Sequence, residues 1–309
     1  MANLNRDVSP AFVELFESEV HQAYQEEGDK LASTVRTKTG VSGTSVHFPI
    51  YGKGAAQDRG ASSSDVPVMG VGAESVKCDL ARKIAADYSD VFDEAALNFD
   101  DRQELAMAIG YAMRRCEDQM IIDAMNAAHL AGGAKAPNVV ALDYGESANA
   151  PLTLKKVKRA SNLLNRHGVP RKDRYFVYTP DGLNHLLDAE EVTTLDKNNV
   201  KALVDGDIDT YLGFKFIMIN DETVKVIDPA NPSATKDITT GLPTHTVTNS
   251  RKYFAYHRRA VGYAASIDKT TMADWVAQKA SYLIQSHLYA GSVVIDPTGY
   301  VTVLCIETP

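Results

Sequence analysis

The chain has 309 residues, of which 44% are hydrophobic and 23% are charged. This composition excludes a predominantly disordered protein, which would contain fewer hydrophobic residues. The formal net charge of -8 argues against a protein whose main task is to bind phosphate backbones, because that binding needs clustered positive charge. Three widely spaced cysteines indicate neither a disulfide framework nor a zinc site. We find no signal pattern and no apolar run of about 18 residues, and expect no membrane association.

The first predicted element is an amphipathic helix over residues 9 to 27, which carries glutamates on its polar face. Its apolar positions recur at helical spacing: Phe12, Leu15, Phe16, Val20 and Tyr24. This stripe is too small to form a core of its own, so we expect it to lie on another part of the chain or on a neighbouring subunit. Phe12, Phe16 and Tyr24 are therefore predicted assembly contacts.

A long two-stranded extension is predicted next, between Ser33 and Leu80. Apolar residues alternate with polar ones in two runs, Val46, Phe48 and Ile50, then Val76, Cys78 and Leu80, as expected of half-buried strands. The intervening residues 52 to 72 are rich in Gly, Ser, Ala and Asp and almost without large apolar side chains. Such a long loop is usually functional or disordered, and we interpret it as a projecting flap. Its predicted assembly contacts are Phe48, Tyr51, Lys53 and Arg59.

The strongest periodic signal predicts a long helix from Phe99 to about Leu130. Asp100 and Asp101 favour a helix start, and Gly132 with Gly133 favours its end. At 1.5 Å per residue the helix would be about 45 Å long, which makes it a spine. Its expected apolar face consists of Leu105, Ile109, Ala112, Met113, Cys116, Met120, Ile121 and Ala124.

A compact α+β or α/β domain of roughly 120 residues is predicted after the spine helix. The pattern predicts helices over 154 to 165 and 180 to 187, and strands over 174 to 178, 211 to 219 and 251 to 265. The first helix carries the basic residues Lys155, Lys156, Lys158 and Arg159. This basic face is either solvated or meets DNA or an acidic partner, and Lys155 and Arg159 are the predicted contacts. The end of the chain predicts a hairpin over 293 to 305 that supplies a sheet for the spine helix.

The sequence contains no catalytic, metal-binding or cofactor-binding motif. The eight histidines have no ligand spacing, and the fragments Gly52-Lys53-Gly54 and Gly70-Val71-Gly72 lack the rest of a phosphate-binding loop. Helix capping explains Asp100 and Asp101 better than a metal site does. We therefore expect a protein that is not an enzyme.

The order of arm, flap, spine helix, compact domain and C-terminal β segment resembles the major capsid proteins of tailed bacteriophages, with the fold named after Hong Kong 97 phage. Residues 173 to 181, 212 to 216 and 257 to 262 resemble segments of capsid proteins from T-seven-like podoviruses. The resemblance implies an α+β fold with an N-terminal arm (1–32), an extended two-stranded loop (33–80), a peripheral domain (81–150 and 260–309) and an axial α/β domain (151–259).

The same resemblance implies a function in the virion. We expect hexamers and pentamers that form an icosahedral head shell around double-stranded DNA, without specific DNA binding. Assembly in the host bacterial cytoplasm would involve a separate scaffolding protein, a portal and, where the phage has them, decoration proteins. Two alternatives stay open at this point. The first is an encapsulin-type compartment with the same fold, and the second is a cytosolic α/β enzyme, which gel filtration would reveal as a small oligomer.

Overall fold

The computed structural model describes residues 28–60, 65–92, 100–131, 138–145, 150–188, 210–228, 231–245, 247 and 249–307. The helices in these ranges are α1 (Asp101–Ala131), α2 (Leu154–Arg166) and α3 (Pro180–Asp188). The strands are β1 (Arg36–Thr39), β2 (Ser45–Tyr51), β3 (Ala73–Asp79), β4 (Ala81–Asp90), β5 (Asn138–Val140), β6 (Arg174–Tyr178), β7 (Thr210–Tyr211), β8 (Phe214–Met218), β9 (Glu222–Asp228), β10 (Asn231–Thr240), β11 (Ser250–His257), β12 (Val261–Val276), β13 (Ser281–Val294) and β14 (Tyr300–Ile306). This mixture confirms the predicted α+β class.

The largest sheet contains six strands in the order β5-β14-β11-β6-β8-β7. β11 lies at its centre, antiparallel to β14 on one side and to β6 on the other. Phe254, Ala255 and Tyr256 of β11 are fully buried, as expected for a strand that is covered on both faces. Helix α2 packs against β14 and β5. The helices predicted over 154 to 165 and 180 to 187 are confirmed, as is the strand over 174 to 178.

The second large sheet has the order β1-β12-β13-β4 and packs against α1. Asp100 caps α1, because its Oδ1 accepts a hydrogen bond of 3.3 Å from the backbone N–H of Gln103. Ser89 of β4 donates to Asp101 Oδ2 at 2.7 Å, and the Arg102 guanidinium lies 4.7 Å from the ring centroid of Tyr282 on β13. The side chains of Ser89 and Tyr282 therefore face the helix, and the predicted spine is confirmed.

Three predicted β segments divide differently in the structure. The strand expected over 211 to 219 is a tight hairpin of β7 and β8, because Leu212 and Gly213 both have positive φ and form a two-residue turn. The strand expected over 251 to 265 breaks at a turn, where the Ala260 N–H donates to His257 O. Its two parts, β11 and β12, belong to different sheets.

The prediction of a C-terminal hairpin is also wrong, because its two strands belong to different sheets. A 3-10 helix, Pro297–Gly299, follows β13 and turns the chain so that β14 joins the six-stranded sheet. The Asp296 side chain stabilises this turn by accepting hydrogen bonds from the N–H and hydroxyl of Thr298. The sheet that supports α1 is instead built from β4, β12 and β13. The antiparallel hairpin of β9 and β10 was not predicted.

Candidate assembly surfaces

The base of the two-stranded extension is anchored in the body of the protein. β2 and β3 pair antiparallel from Ser45 opposite Asp79 to Tyr51 opposite Ala73, which confirms the predicted strands. Val46, Phe48 and Cys78 form a small core with Ala264 of β12 and Ile295. The structure corrects the expectation for Phe48 as an assembly contact, since 1% of its surface is exposed and its partners belong to the same chain.

The tip of the extension, unlike its base, is exposed to solvent. The described residues from Gly52 to Gly70 are exposed, so this segment does not lie on the core of its own chain. Tyr51, Val66 and Val68 have 76%, 82% and 84% of their surface exposed. Large exposed apolar side chains on a projecting segment are typical of contacts with another molecule. We define residues 51–72 as the flap tip.

Two predicted flap contacts are polar. Lys53 is exposed, and its Nζ donates to His167 O at 3.3 Å, next to the end of α2. A cation is stabilised there because backbone carbonyls concentrate negative charge at the C-terminus of a helix. Lys53 therefore orients the flap tip relative to its own body. Arg59 is exposed in the middle of the tip.

The basic residues of α2 do not share one face. Lys156 is fully buried, and its ammonium donates to the carbonyls of Leu142, Ala150 and Leu304 at 2.9, 2.6 and 2.8 Å. The structure thus corrects the predicted four-residue face, because Lys156 ties α2 to the six-stranded sheet. The helical pattern identified the charge but could not show that buried carbonyls would surround it.

The other basic residues of α2 remain near the surface. Lys158 is exposed, whereas Lys155 and Arg159 are half-buried. Lys155 Nζ donates to Gly145 O at 3.4 Å, and the Arg159 guanidinium lies 5.5 Å from the Tyr144 ring centroid. Lys155 and Arg159 are therefore brought together on the loop that follows β5. Phe12, Phe16 and Tyr24 lie outside the described residues.

A further exposed apolar surface was not predicted. Ile84 and Tyr88 on β4, together with Ile267 and Met272 on β12, are exposed. The pairing of both strands with β13 places these four side chains on the sheet face opposite α1. We call them the outer sheet face. Period-two alternation in 81 to 90 is the signal that could have revealed it, but apolar residues there are few.

Two buried carboxylates on α1, Glu117 and Asp118, were not predicted. Asp118 accepts backbone N–H bonds from Lys30 and Leu31 at 3.0 and 2.9 Å. Glu117 pairs with Lys269 of β12 at 2.6 Å. Burial, with a smaller contribution from neighbouring Glu117, raises the pKa of Asp118 to about 6 against the lowering effect of the two N–H donors. Together these carboxylates clamp the chain at 30–31 and β12 onto the spine helix.

The described residues contain no cluster that suggests metal chemistry. Within the ranges given above, histidine, cysteine and carboxylate side chains do not gather in groups of three or more that could hold a metal ion. In the same part of the chain, no helix is both long and apolar enough to cross a bilayer. The three cysteines are free.

Comparison with known proteins identifies the family. The model of a family described as phage capsid protein matches residues 8–307. The chain belongs to the phage capsid protein family. No curated protein sequence matches this capsid protein. As a member of this family it is a structural protein of the phage virion and not an enzyme, which confirms the expectation from the sequence.

Solved capsids share its fold at low sequence identity. The head structure of Helicobacter pylori bacteriophage KHP40 has a TM-score of 0.72 at 10% identity, covering 100% of both chains. The capsid of the Cyanophage P-SCSP1u has a TM-score of 0.71 at 16% identity, covering 97% of this chain and 95% of that one. A virus-like particle from Pyrococcus furiosus has a TM-score of 0.54 at 11% identity, covering 89% and 92%. These similarities confirm the predicted Hong Kong 97 phage-type fold.

Proposed function

We propose that this capsid protein assembles into hexamers and pentamers that close an icosahedral head shell around double-stranded DNA. In this proposal residues 1–32 form the arm and 33–80 the extended loop. Residues 81–150 with 260–309 form the peripheral domain, and 151–259 the axial domain. A scaffolding protein, a portal and any decoration proteins act as separate partners in the host cytoplasm. The segments at 173–181, 212–216 and 257–262 support a relationship to T-seven-like podoviruses.

The observation that carries the proposal is the contrast between the anchored base and the exposed tip of the extension. A two-stranded ribbon without a covered face is marginally stable by itself. The flap tip nevertheless exposes Val66 and Val68, which a subunit alone leaves in water. Each would contribute on the order of 1.5–3 kcal/mol if a neighbour buried it fully. A closed lattice repeats this contact in every subunit, so modest contacts add up to a stable shell.

The similarity to the Pyrococcus furiosus particle keeps a cargo-loaded compartment as the second candidate. The family match over residues 8–307 favours the phage shell. Particles that carry a co-purifying enzyme instead of DNA would support the compartment.

The test of the flap's role is deletion of residues 54 to 70. The remaining Gly52, Lys53, Val71 and Gly72 can form a four-residue hairpin loop between β2 and β3, a length that hairpins commonly use. Because the anchored base stays intact, we expect a soluble folded subunit that no longer closes shells. Electron microscopy and circular dichroism measure the two properties separately. Normal particles from the deletion variant would refute the flap's role.

A further inference from the structure

A cavity of about 840 Å³ opens where the two large sheets meet. Its walls come from the start of β1, the loop that precedes β6, and the end of β11 with the turn that follows it. Its charged and titratable lining residues are Arg36, Lys172, Asp173, His257, Arg258 and Arg259. β1 belongs to the four-stranded sheet and the other two strands to the six-stranded one. Neither sheet forms the cavity alone.

The cavity is strongly positive although the whole chain carries a net charge of -8. Arg36, Lys172, Arg258 and Arg259 are exposed cations, whereas Asp173 is the one carboxylate among the described lining residues. Burial lowers the pKa of His257, and neighbouring Arg259 and Arg174 lower it further although Asp173 raises it. The positive charge of the cavity therefore comes from arginine and lysine and not from the imidazole of His257.

The contacts of these cations orient them without neutralising them. The Arg36 guanidinium lies 5.6 Å from the ring centroid of Phe48, and Arg258 Nε donates to Val35 O at 3.4 Å. In the described ranges, none of the four cations forms an ion pair with a carboxylate. Arginine side chains held in this way retain N–H donors that suit carboxylate groups.

The chain itself contains a segment of matching charge. Residues 9 to 27 hold five glutamates and neither lysine nor arginine. We propose that the basic cavity binds this glutamate-rich segment of the same chain. Its carboxylates would pair with Lys172 and the arginines at 36, 258 and 259. The cavity is thus a docking site for an acidic peptide.

The segment joins the body a few residues before Arg36, which lines the cavity. Gly28 lies tightly on α1, since a Cβ there would come within 2.7 Å of the Arg114 backbone. Gly28 and Asp29 have φ values of 71° and 64°, so the chain turns sharply at this point. Arg36 follows Gly28 by eight positions in the chain, which limits the distance between their Cα atoms to about 28 Å. The predicted helix would span about 20 Å between residues 14 and 27.

This short connection is the reason to assign the segment to its own chain rather than to a neighbour. A tethered ligand that can reach its site has an effective concentration in the millimolar range, about 10⁻³ M. A segment from a second subunit reaches that concentration only after assembly. The proposal therefore applies to the free subunit and does not depend on shell formation.

Zero-length crosslinking of the full-length chain tests the proposal. A water-soluble carbodiimide joins a glutamate carboxyl of residues 9–27 to Lys172 Nζ as an amide, and takes up the released water to become a urea. The reaction is run on a mixture of unlabelled and ¹⁵N-labelled protein and read by mass spectrometry. We expect crosslinked peptides whose two halves always carry the same isotope. Lys172→Gln should abolish this product, whereas Lys158→Gln on the exposed side of α2 should leave its yield unchanged.

A double variant, Arg258→Gln with Arg259→Gln, tests whether charge holds the segment in the cavity. It should lower the crosslink yield by about fivefold or more. Because a substituted chain can fold poorly, the wild-type yield is also measured at about 0.5 M salt, where screening should lower it as well. Mixed-isotope peptides would overturn the assignment to the same chain. Absence of the crosslink would overturn the proposal, and binding of a short DNA duplex that the double variant loses would replace it with a nucleic-acid site.

Discussion

The extension formed by β2, β3 and the flap tip is buried at its base and exposed at its tip. At the base, Phe48 and Val46 are buried against β12, while at the tip Val66 and Val68 are exposed to solvent. Both ends carry apolar side chains, but among the described residues Val46 and Phe48 of the base are buried within the chain, whereas Val66 and Val68 of the tip are exposed. Stability of the subunit and assembly of the shell are therefore expected to depend on different ends of one element.

The largest loss of stability is expected at the base. Phe48→Ala removes a buried ring and leaves a cavity beside Gly262, where an added Cβ would lie 3.0 Å from the Phe48 ring. Such changes lower the free energy of unfolding by about 3–5 kcal/mol. Urea denaturation of the purified subunit measures the effect. Tyr51→Ala, at the exposed end of the same strand, is the control, and we expect it to stay within about 0.5 kcal/mol of wild type.

A second test concerns Lys156, a charged residue that stabilises the interior of the subunit. Lys156→Met would leave the carbonyls of Leu142, Ala150 and Leu304 without their ammonium donor. Buried acceptors without a partner are costly, so we expect a loss of about 2–4 kcal/mol in the free energy of unfolding. Lys158→Met, two residues away and exposed, should change it by less than about 0.5 kcal/mol. Equal effects of the two substitutions would contradict the buried role of Lys156.

Sequence reasoning succeeded where a single periodicity continued over many residues. The 31 residues of α1 and the alternating strands β2 and β3 were predicted because helical or period-two spacing defines the buried face directly. It failed at 251–265 and 293–305, where a run of apolar residues crosses from one sheet to another. The turn at His257–Ala260 depends on contacts between distant strands, which local spacing does not encode.

Prediction of the candidate surfaces was limited in the same way, because local spacing does not encode contacts between residues far apart in the sequence. The exposed flap tip follows from a long stretch of small and polar residues, whereas the burial of Lys156 depends on carbonyls as far away in sequence as Leu304. Glu117 and Asp118 lie among the apolar positions Met113 and Ile121 of α1, and this break in the pattern was the available signal. A polar pair on an otherwise buried helix face predicts partners, but not which ones.

The clamp at Asp118 is expected to respond to pH. Burial raises its pKa to about 6 from an ordinary value of 3.8, so the folded state binds this proton more tightly than the unfolded state does. The resulting stabilisation is fully present below about pH 3.8 and is lost as the pH rises through about 6. A difference of about two pKa units corresponds to at most about 3 kcal/mol.

Comparison of wild type with Asp118→Asn isolates this contribution from other titrating groups. As the pH falls from about 7.5 to about 4.5, the free energy of unfolding of wild type should rise relative to that of the variant. Asp123→Asn, an exposed position on the same helix, is the control for the removal of a carboxylate from α1. A constant difference for Asp118→Asn would show that the clamp does not titrate in this range.

The smallest effect on subunit stability is expected at the flap tip, where the effect on assembly should be large. The pair Val66→Ser and Val68→Ser changes side chains that are 82% and 84% exposed, so the free energy of unfolding should move by less than about 0.5 kcal/mol. Shell yield, measured by sedimentation and electron microscopy, should fall sharply because every subunit loses the same apolar contact. Leu130→Ser at the exposed end of α1 is the matched control. If it reduces shell yield equally, exposed apolar surface matters in general and the flap tip has no special role.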